Sequence, residues 1–451
     1  MPWVNDDNAA LLTDLYELTM AASYFAHDMN DPATFELFVR ALPDERRFLI
    51  AAGLEDALHY LERLQFSPES LDFLTSTRYF DTKFLDYLSR FRFSGDLWAM
   101  AEGEAVFAEE PMLRVTAPLI EAQAVETFLL NVVNFQTLIA SKAARIALAC
   151  GGRDFVDFSP RRDHGADAAL KAARAAYIGG ASATSNVLAG STYGIPLSGT
   201  MAHSYVMSFE CETDAFRTFA RDFPDRSILL IDTYDTLDGA RAAVKVAAEL
   251  ADEGVHIVGV RLDSGDLAAL SVAVRQILDE GGCSGTSIFA SGDLDEHRIA
   301  ALLAAGAPID AFGVGTQLGT SADAPALSGV YKLVEDAQGP KSKLSAEKFT
   351  WPGRKQVYRF SEGGRYVHDT IALENDVVPG GRALLHQVMT GGRRISPPEP
   401  LTTIRLRCRE TLAALPDELR RLESGGRPFS VQRTPALEAA RRAAMQRIRT
   451  A

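Results

Sequence analysis

The 451-residue sequence predicts an α/β fold, an irregular, incomplete βα barrel set into a second mixed α/β domain built from both chain ends. Three observations carry this. Between residues 227 and 316, short apolar runs alternate with helical runs at a step of about thirty residues or somewhat less, the size of a βα unit. Each apolar run ends in a polar or glycine-rich cluster, and parallel strands alternating with helices bring such ends to one face, where a βα barrel holds its active site. After Thr320 the rhythm stops and glycine-rich turns separate alternating runs. An open doubly wound sheet also gathers strand ends in a crevice, but roughly seven strands favour the barrel.

In chain order, residues 9–25 read as a helix with Leu12, Leu15, Tyr16, Thr19 and Ala22 on one stripe, which puts Tyr16 in the core. Residues 34–39 alternate like a strand, 54–65 and 68–87 read as helix, and 97–115 as strands broken by Gly103 and Pro111. A long helical region covers 118–149. Then come a strand at 155–158, a polar loop at 159–165, an alanine-rich helix at 166–178 and a small, polar stretch at 179–186. Residues 195–205, IPLSGTMAHSY, read as a short strand entering a loop that presents His203, with Gly199 leaving room for close backbone approach. Strands at 227–231, 256–260, 286–290 and 309–312 alternate with helices at 238–252, 267–280 and 295–305. Antiparallel strands follow at 329–335, 356–360 and 365–368, then a stiff linker at 397–400 and a charged helical tail at 415–451 in two pieces. The resulting division is 1–117 as an N-terminal α/β domain, 118–330 as the barrel with the active site, 331–395 as an antiparallel region joining the N-terminal domain, and 396–451 as a C-terminal helical tail.

A formal net charge of −14 argues against nucleic acid or an anionic membrane as the main partner. The four cysteines lie far apart with no CxxC pair, which fits a reducing compartment and gives no zinc signature. The acidic N-terminus leads into no apolar run, so a signal peptide is not expected. The most apolar helical stretch, 125–140, is broken by Glu126, Asn131, Asn134 and Gln136 and is too polar and short to span a bilayer. The expectation is a soluble cytoplasmic protein.

Several clusters can carry chemistry. His203 can act as nucleophile, acid/base or metal ligand, the bland alternative being a satisfied histidine at a strand end. Arg161 and Arg162, beside Asp163 and His164, suit phosphate or carboxylate through forked hydrogen bonds, or form a solvated turn. Arg261, Asp263 and Asp266 at one strand end can grip an anion and a Mg²⁺ ion together, or form a salt-bridged loop. Ser291-Gly292-Asp293 and Gly313-Val314-Gly315-Thr316 expose backbone N–H groups suited to phosphate, without the spacing of a P-loop or GxGxxG. The basic stretches 343–348 and 351–356 can cover a phosphate or remain solvated loops.

Taken together, LLTDLYELTM at 11–20, FELFVRALP at 35–43, TSNVLAG at 184–190, GTMAHSYV at 199–206, IDTYDT at 231–236, GVRLDSGDL at 259–267, GVGTQLGT at 313–320 and GVYKL at 329–333 resemble the nicotinate phosphoribosyltransferase family. The resemblance runs from Leu11 to about Gln356. It implies the irregular barrel of the type II phosphoribosyltransferases. It also implies synthesis of nicotinate mononucleotide and pyrophosphate from nicotinate and phosphoribosyl pyrophosphate, with Mg²⁺. Coupled ATP hydrolysis would run through a phosphohistidine at His203. The resemblance makes Tyr16, from the partner subunit of a homodimer with shared active sites, and Phe158 the aromatics that sandwich the pyridine ring. Arg161 and Arg261 become anion contacts, Asp263 a catalytic group beside ring and ribose, and Ser291, Gly292, Gly315 and Thr316 the 5′-phosphate site. Asp232 and Asp266 are the candidate Mg²⁺ carboxylates. Ser185 stands near where the sister nicotinamide enzyme carries an aspartate, and its lack of charge favours a carboxylate substrate. A relative using nicotinamide or quinolinate, and a catalytically silent ligand-binding homologue, are the alternatives.

Overall fold

The computed structural model describes residues 4–343, 350–423, 425 and 427–450, so most of the basic stretch read at 343–348 lies outside the described residues. The chain forms two units, Met1–Ser141 with Ala326–Ala451, and Lys142–Pro325. The sequence reading put the inserted segment at 118–330. The division instead falls inside the helix Glu126–Ala149, and both C-terminal segments belong to one unit with the N-terminal segment.

The inserted unit is built on a six-stranded sheet in the order Ala183–Thr184, Asp154–Asp157, Ala311–Val314, Ser287–Ala290, Gly259–Leu262, Ile228–Leu230. Every neighbouring pair is parallel, and Leu197 adds a parallel bridge to Thr184. Among the described residues no pairing joins Ile228–Leu230 to the far edge, so the curled sheet is a half-barrel rather than a closed one. One face packs Val156, Ala183 and Phe289 against Phe158, Ile228 and Ala311. The strand read at 256–260 begins at Gly259 instead. Ile257 is buried, but pairing starts only where Gly259 meets Ser287 and Ile228. The strand read at 309–312 extends through Gly313 and Val314. Leu267–Glu280 is helical as read, capped by Asp266, whose Oδ1 accepts from the N–H groups of Ala268 and Ala269.

The other unit carries a seven-stranded antiparallel sheet in which Pro32–Val39 is an interior strand, seven of whose eight residues are buried. Gly329–Asp336 pairs with this strand, whereas Lys355–Glu362 and Arg365–Leu373 form a hairpin in a second sheet. Pro111 opens the strand Pro111–Pro118 instead of breaking one. The N-terminal helix is interrupted: Ala9–Leu11 is a 3-10 turn, Asp14 is extended, and Leu15–Ala26 follows. Its buried face is Glu17, Leu18 and Ala21, so the stripe read through Leu15, Tyr16 and Thr19 faces outward. The C-terminal segment is not a purely helical tail. Leu401–Ala414 is a helix with Ile404, Cys408 and Leu412 buried, and Val431–Arg433 lies parallel to Arg365–Leu373 before the helix Pro435–Thr450.

Candidate active site

The C-terminal ends of the parallel strands converge on Arg261. This residue sits in the strand Gly259–Leu262, and its guanidinium makes four hydrogen bonds. Nε donates to Ser291 Oγ at 2.8 Å, Nη1 to Thr200 Oγ1 at 2.8 Å and to the Met201 carbonyl at 3.3 Å, and Nη2 to Asp263 Oδ1 at 2.7 Å. That leaves one Nη2 N–H of its five donors for another acceptor. The planar fork ties Thr200 and Met201 on one loop and Ser291 on another to Asp263 at its own strand end. It also lies over the Phe158 ring, 5.5 Å from the centroid.

Asp263 is the second hub. Ser291 Oγ donates to its Oδ1 at 2.6 Å, and its backbone N–H donates to Asp232 Oδ2 at 2.9 Å. Burial pushes its carboxyl up, but the Ser291 hydrogen bond and the Arg261 guanidinium outweigh that and hold it below the usual carboxylate range. His203 Nε2 lies 3.8 Å from Asp263 Oδ2, and Nδ1 is 3.1 Å from Thr233 Oγ1. The histidine is the first residue of a short helix, His203–Met207, not part of a loop, and its ring is 42% exposed, open to a ligand.

Asp232 accepts through Oδ2 from Ser264 Oγ at 2.7 Å as well as from Asp263, while its Oδ1 is buried without a hydrogen-bond partner among the described residues. Asp266 spends one oxygen capping its helix. Among the described residues no group of three or more His, Cys, Asp or Glu side chains is arranged to hold a metal ion by itself.

Gly292 adopts φ +97°, and a Cβ there would stand 2.0 Å from the Asp263 carbonyl oxygen. Only glycine lets the 291–293 loop pack so closely on Asp263. At Gly313, a Cβ would meet the Phe158 ring at 2.6 Å. Phe158 is further held by its N–H to the Val314 carbonyl and by tilted contact with Phe289 at 5.7 Å. Gly315 precedes the one-turn helix Thr316–Gly319, and both Gly315 and Thr316 are partly exposed. Ser185 follows the strand Ala183–Thr184 and donates its N–H to the Asp157 carbonyl. Asp157 is itself buried, accepting from Ser159 N–H and Thr184 Oγ1, and burial pushes its carboxyl up. Arg161 is exposed on the following loop. Beside it, burial and the Asp157 charge push the Asp163 carboxyl up to about 6.

His203, Asp263, Arg261, Ser291, Gly292 and Asp232 are thus gathered directly, with Phe158 beside Arg261. Ser291 is 3% exposed and its hydroxyl is committed to Arg261 and Asp263, so it shapes the site instead of facing a ligand. Tyr16 belongs to the other unit, where it is 47% exposed rather than in the core. Burial and the Glu126 and Glu17 carboxylates push its phenol up. Thr200, Thr233 and Ser264, each bonded to a site residue, were not assigned from the sequence. Their signal there was a place in the stretches 199–206, 231–236 and 259–267. A cavity of about 530 Å³ adjoins the constellation, lined by Asp263, Asp266, Gly292, Asp293 and Arg298 among others.

Residues 11–134 match the family described as the nicotinate phosphoribosyltransferase (NAPRTase) N-terminal domain, and residues 154–335 match the nicotinate phosphoribosyltransferase (NAPRTase) family. The chain is 49% identical over 423 residues to a nicotinate phosphoribosyltransferase of Mycobacterium tuberculosis, covering 94% of this chain and 91% of that protein. It is 47% identical to the Bacillus subtilis nicotinate phosphoribosyltransferase, over 85% and 81% of the two chains. Among solved structures it resembles human nicotinic acid phosphoribosyltransferase, with a TM-score of 0.85, 28% identity and coverage of 96% and 99%.

Proposed function

The chain belongs to the nicotinate phosphoribosyltransferase family, and from that premise we propose how its site performs the family reaction and that ATP hydrolysis drives it through His203. The activity is that of a nicotinate phosphoribosyltransferase: nicotinate and phosphoribosyl pyrophosphate give nicotinate mononucleotide and pyrophosphate. The ring-nitrogen lone pair of nicotinate forms the bond to the ribose carbon as the bond to pyrophosphate breaks, the electron pair leaving with pyrophosphate. Such a displacement passes through an oxocarbenium-like state. Asp263, held ionised by Ser291 and Arg261, stabilises that positive charge. Phe158 offers the ring a stacking surface, and the remaining Arg261 N–H and exposed Arg161 are cations for substrate anions. Gly292, Gly315 and Thr316, all partly exposed, take the 5′-phosphate through backbone N–H groups.

Mg²⁺ bound here would supply positive charge to the leaving pyrophosphate. The site fits it: Asp232 keeps a buried, unpartnered Oδ1, and Mg²⁺ commonly uses one or two carboxylates with substrate phosphates and water. Asp266, half spent on its helix cap, is the weaker donor.

The observation that carries the ATP reading is the His203 ring, exposed, with Nδ1 on Thr233 Oγ1 and Nε2 towards Asp263. With the proton on Nδ1 and donated to Thr233, the Nε2 lone pair attacks the γ-phosphorus of ATP. The N–P bond forms as the bond to the bridging oxygen breaks and ADP leaves. The added negative charge orders cationic groups around the site, and water later cleaves the phosphohistidine. A homodimer is supported by the apolar side chains exposed around the site, Val187, Leu188, Leu197, Met207 and Tyr234, and by the exposed Tyr16, which would come from the partner. We place the reaction in the cytoplasm; among the described residues no helix is long and apolar enough to cross a membrane.

The test is product formation from phosphoribosyl pyrophosphate and Mg²⁺ with nicotinate, nicotinamide or quinolinate, with and without ATP. Nicotinate mononucleotide is the expected product, raised by ATP with release of ADP. His203→Ala should keep slow ATP-independent synthesis and lose both the stimulation and the ADP. Full ATP-coupled turnover by that variant would refute the phosphohistidine.

A further inference from the structure

The inserted unit buries a cluster of four charges that the chemistry above does not use. Lys142 Nζ lies 2.5 Å from Glu296 Oε2 and 3.0 Å from Asp323 Oδ1, and Arg145 Nε donates to Glu296 Oε1 at 2.8 Å. The side chains of Lys142 and Glu296 are 2% and 0% exposed, and that of Asp323 10%. Pairing of this kind offsets the cost of burying charge. Burial pushes the Glu296 carboxyl up, yet Lys142 and Arg145 hold it below the usual range. Glu296 Oε2 thus lies in direct ion-pair contact with the Lys142 ammonium.

The sequence positions of the two anions give the cluster its meaning. Glu296 opens the helix Glu296–Ala304, immediately after the 291–295 loop that contains Gly292. Asp323 follows the helix Thr316–Gly319, which begins at the other phosphate-facing loop. Between them the chain is pinned by a turn in which Ser321, at φ +46°, donates its hydroxyl to the Ala324 carbonyl. Lys142 and Arg145 both stand on the helix Glu126–Ala149. One ammonium therefore bridges the residue that directly follows the 291–295 loop and a residue beyond the short helix that follows the 313–316 loop.

We propose that Lys142 is a positioning residue for the phosphate site: by holding Glu296 and Asp323 together it fixes the spacing of the two loops that receive the 5′-phosphate. This rests on the phosphate site assigned above. Lys142 touches no reacting atom and acts through the loops, so its loss should be felt in the binding of phosphoribosyl pyrophosphate before that of nicotinate.

The experiment is steady-state kinetics and calorimetric binding of phosphoribosyl pyrophosphate on the full-length wild type, Lys142→Met, Lys142→Arg and Asp323→Asn. Lys142→Met should raise the KM for phosphoribosyl pyrophosphate about tenfold, the scale on which a slightly misplaced binding group is felt, with the nicotinate KM within about twofold. Lys142→Arg, which keeps the charge, should recover most of the loss. Asp323→Asn, which weakens the contact with Lys142 and leaves Lys142 on Glu296, should show the same selectivity in smaller measure. It carries the test if Lys142→Met does not fold. A lowered Tm with an unchanged KM for phosphoribosyl pyrophosphate, or an equal rise in both KM values, would overturn the proposal. A wild type that binds phosphoribosyl pyrophosphate but turns nothing over counts against the functional reading alone. The proposal is then decided by whether Lys142→Met weakens that binding.

Discussion

A single buried hydroxyl sets the charge state of the site. Ser291 Oγ receives a hydrogen bond from Arg261 Nε and donates one to Asp263 Oδ1, so it lowers the cost of keeping Asp263 ionised beside a developing cation. Activity that needs ionised Asp263 is present above its folded pKa and lost as pH falls through it. Ser291→Ala removes a hydrogen bond that favours the charged form, so the pKa rises, and the acid limb of the kcat/KM profile for phosphoribosyl pyrophosphate should move to higher pH. An unmoved limb would mean that Asp263 does not control it. A serine in a Ser-Gly-Asp stretch after a strand reads from sequence as a ligand contact. Its commitment to two neighbours is invisible there, because those neighbours sit on another strand. Gly292 was legible as a glycine for close approach, but what approaches, the Asp263 carbonyl, was not.

At the scale of elements, buried carboxyls lock strands that the sequence could only list. Glu110, just before the strand Pro111–Pro118, accepts the Phe107 N–H through Oε2, while Oε1 has no donor. Burial and the neighbouring Asp369 push its carboxyl well above the usual range, though the Arg359 guanidinium beside both carboxyls opposes this. A folded pKa raised in this way gives stability that is full below the ordinary glutamate value and lost as pH climbs through the folded value. Glu110→Gln keeps the hydrogen-bond acceptor without the charge. Its Tm should therefore exceed that of the wild type by a margin that grows with pH, as followed by thermal melts across that window. A margin independent of pH would show that Glu110 is ionised in the folded protein. The same logic explains the misread N-terminal helix. Glu17, buried and accepting from Thr13 and Thr127, takes the inward face that an apolar stripe would be expected to hold, which turns Tyr16 outward.

For the whole molecule, the decisive question is whether one site draws on two chains. If Tyr16 of one protomer completes the site built around His203 and Asp263 of its partner, then Tyr16→Ala and Asp263→Asn are each nearly inactive alone. Mixed after co-expression, they should recover about one quarter of wild-type activity, because half of randomly paired dimers carry one intact site of two. No recovery in mixed dimers isolated with two affinity tags would place Tyr16 in the site of its own chain or outside catalysis.

The sequence by itself determined the alternation of strands and helices between 155 and 316, the polar strand ends, and through its motifs the family. These are local properties, written in period and in contiguous residues. Tertiary structure decided what depends on residues far apart in the chain. It left the sheet unclosed, because its two edge strands find no partner in each other. It paired Gly329–Asp336 with Pro32–Val39, made Arg261 the hub of Thr200, Asp263 and Ser291, and buried Lys142 between Glu296 and Asp323. A hydrogen bond or a buried ion pair acts over a few ångströms, and only the folded chain brings such partners within that distance.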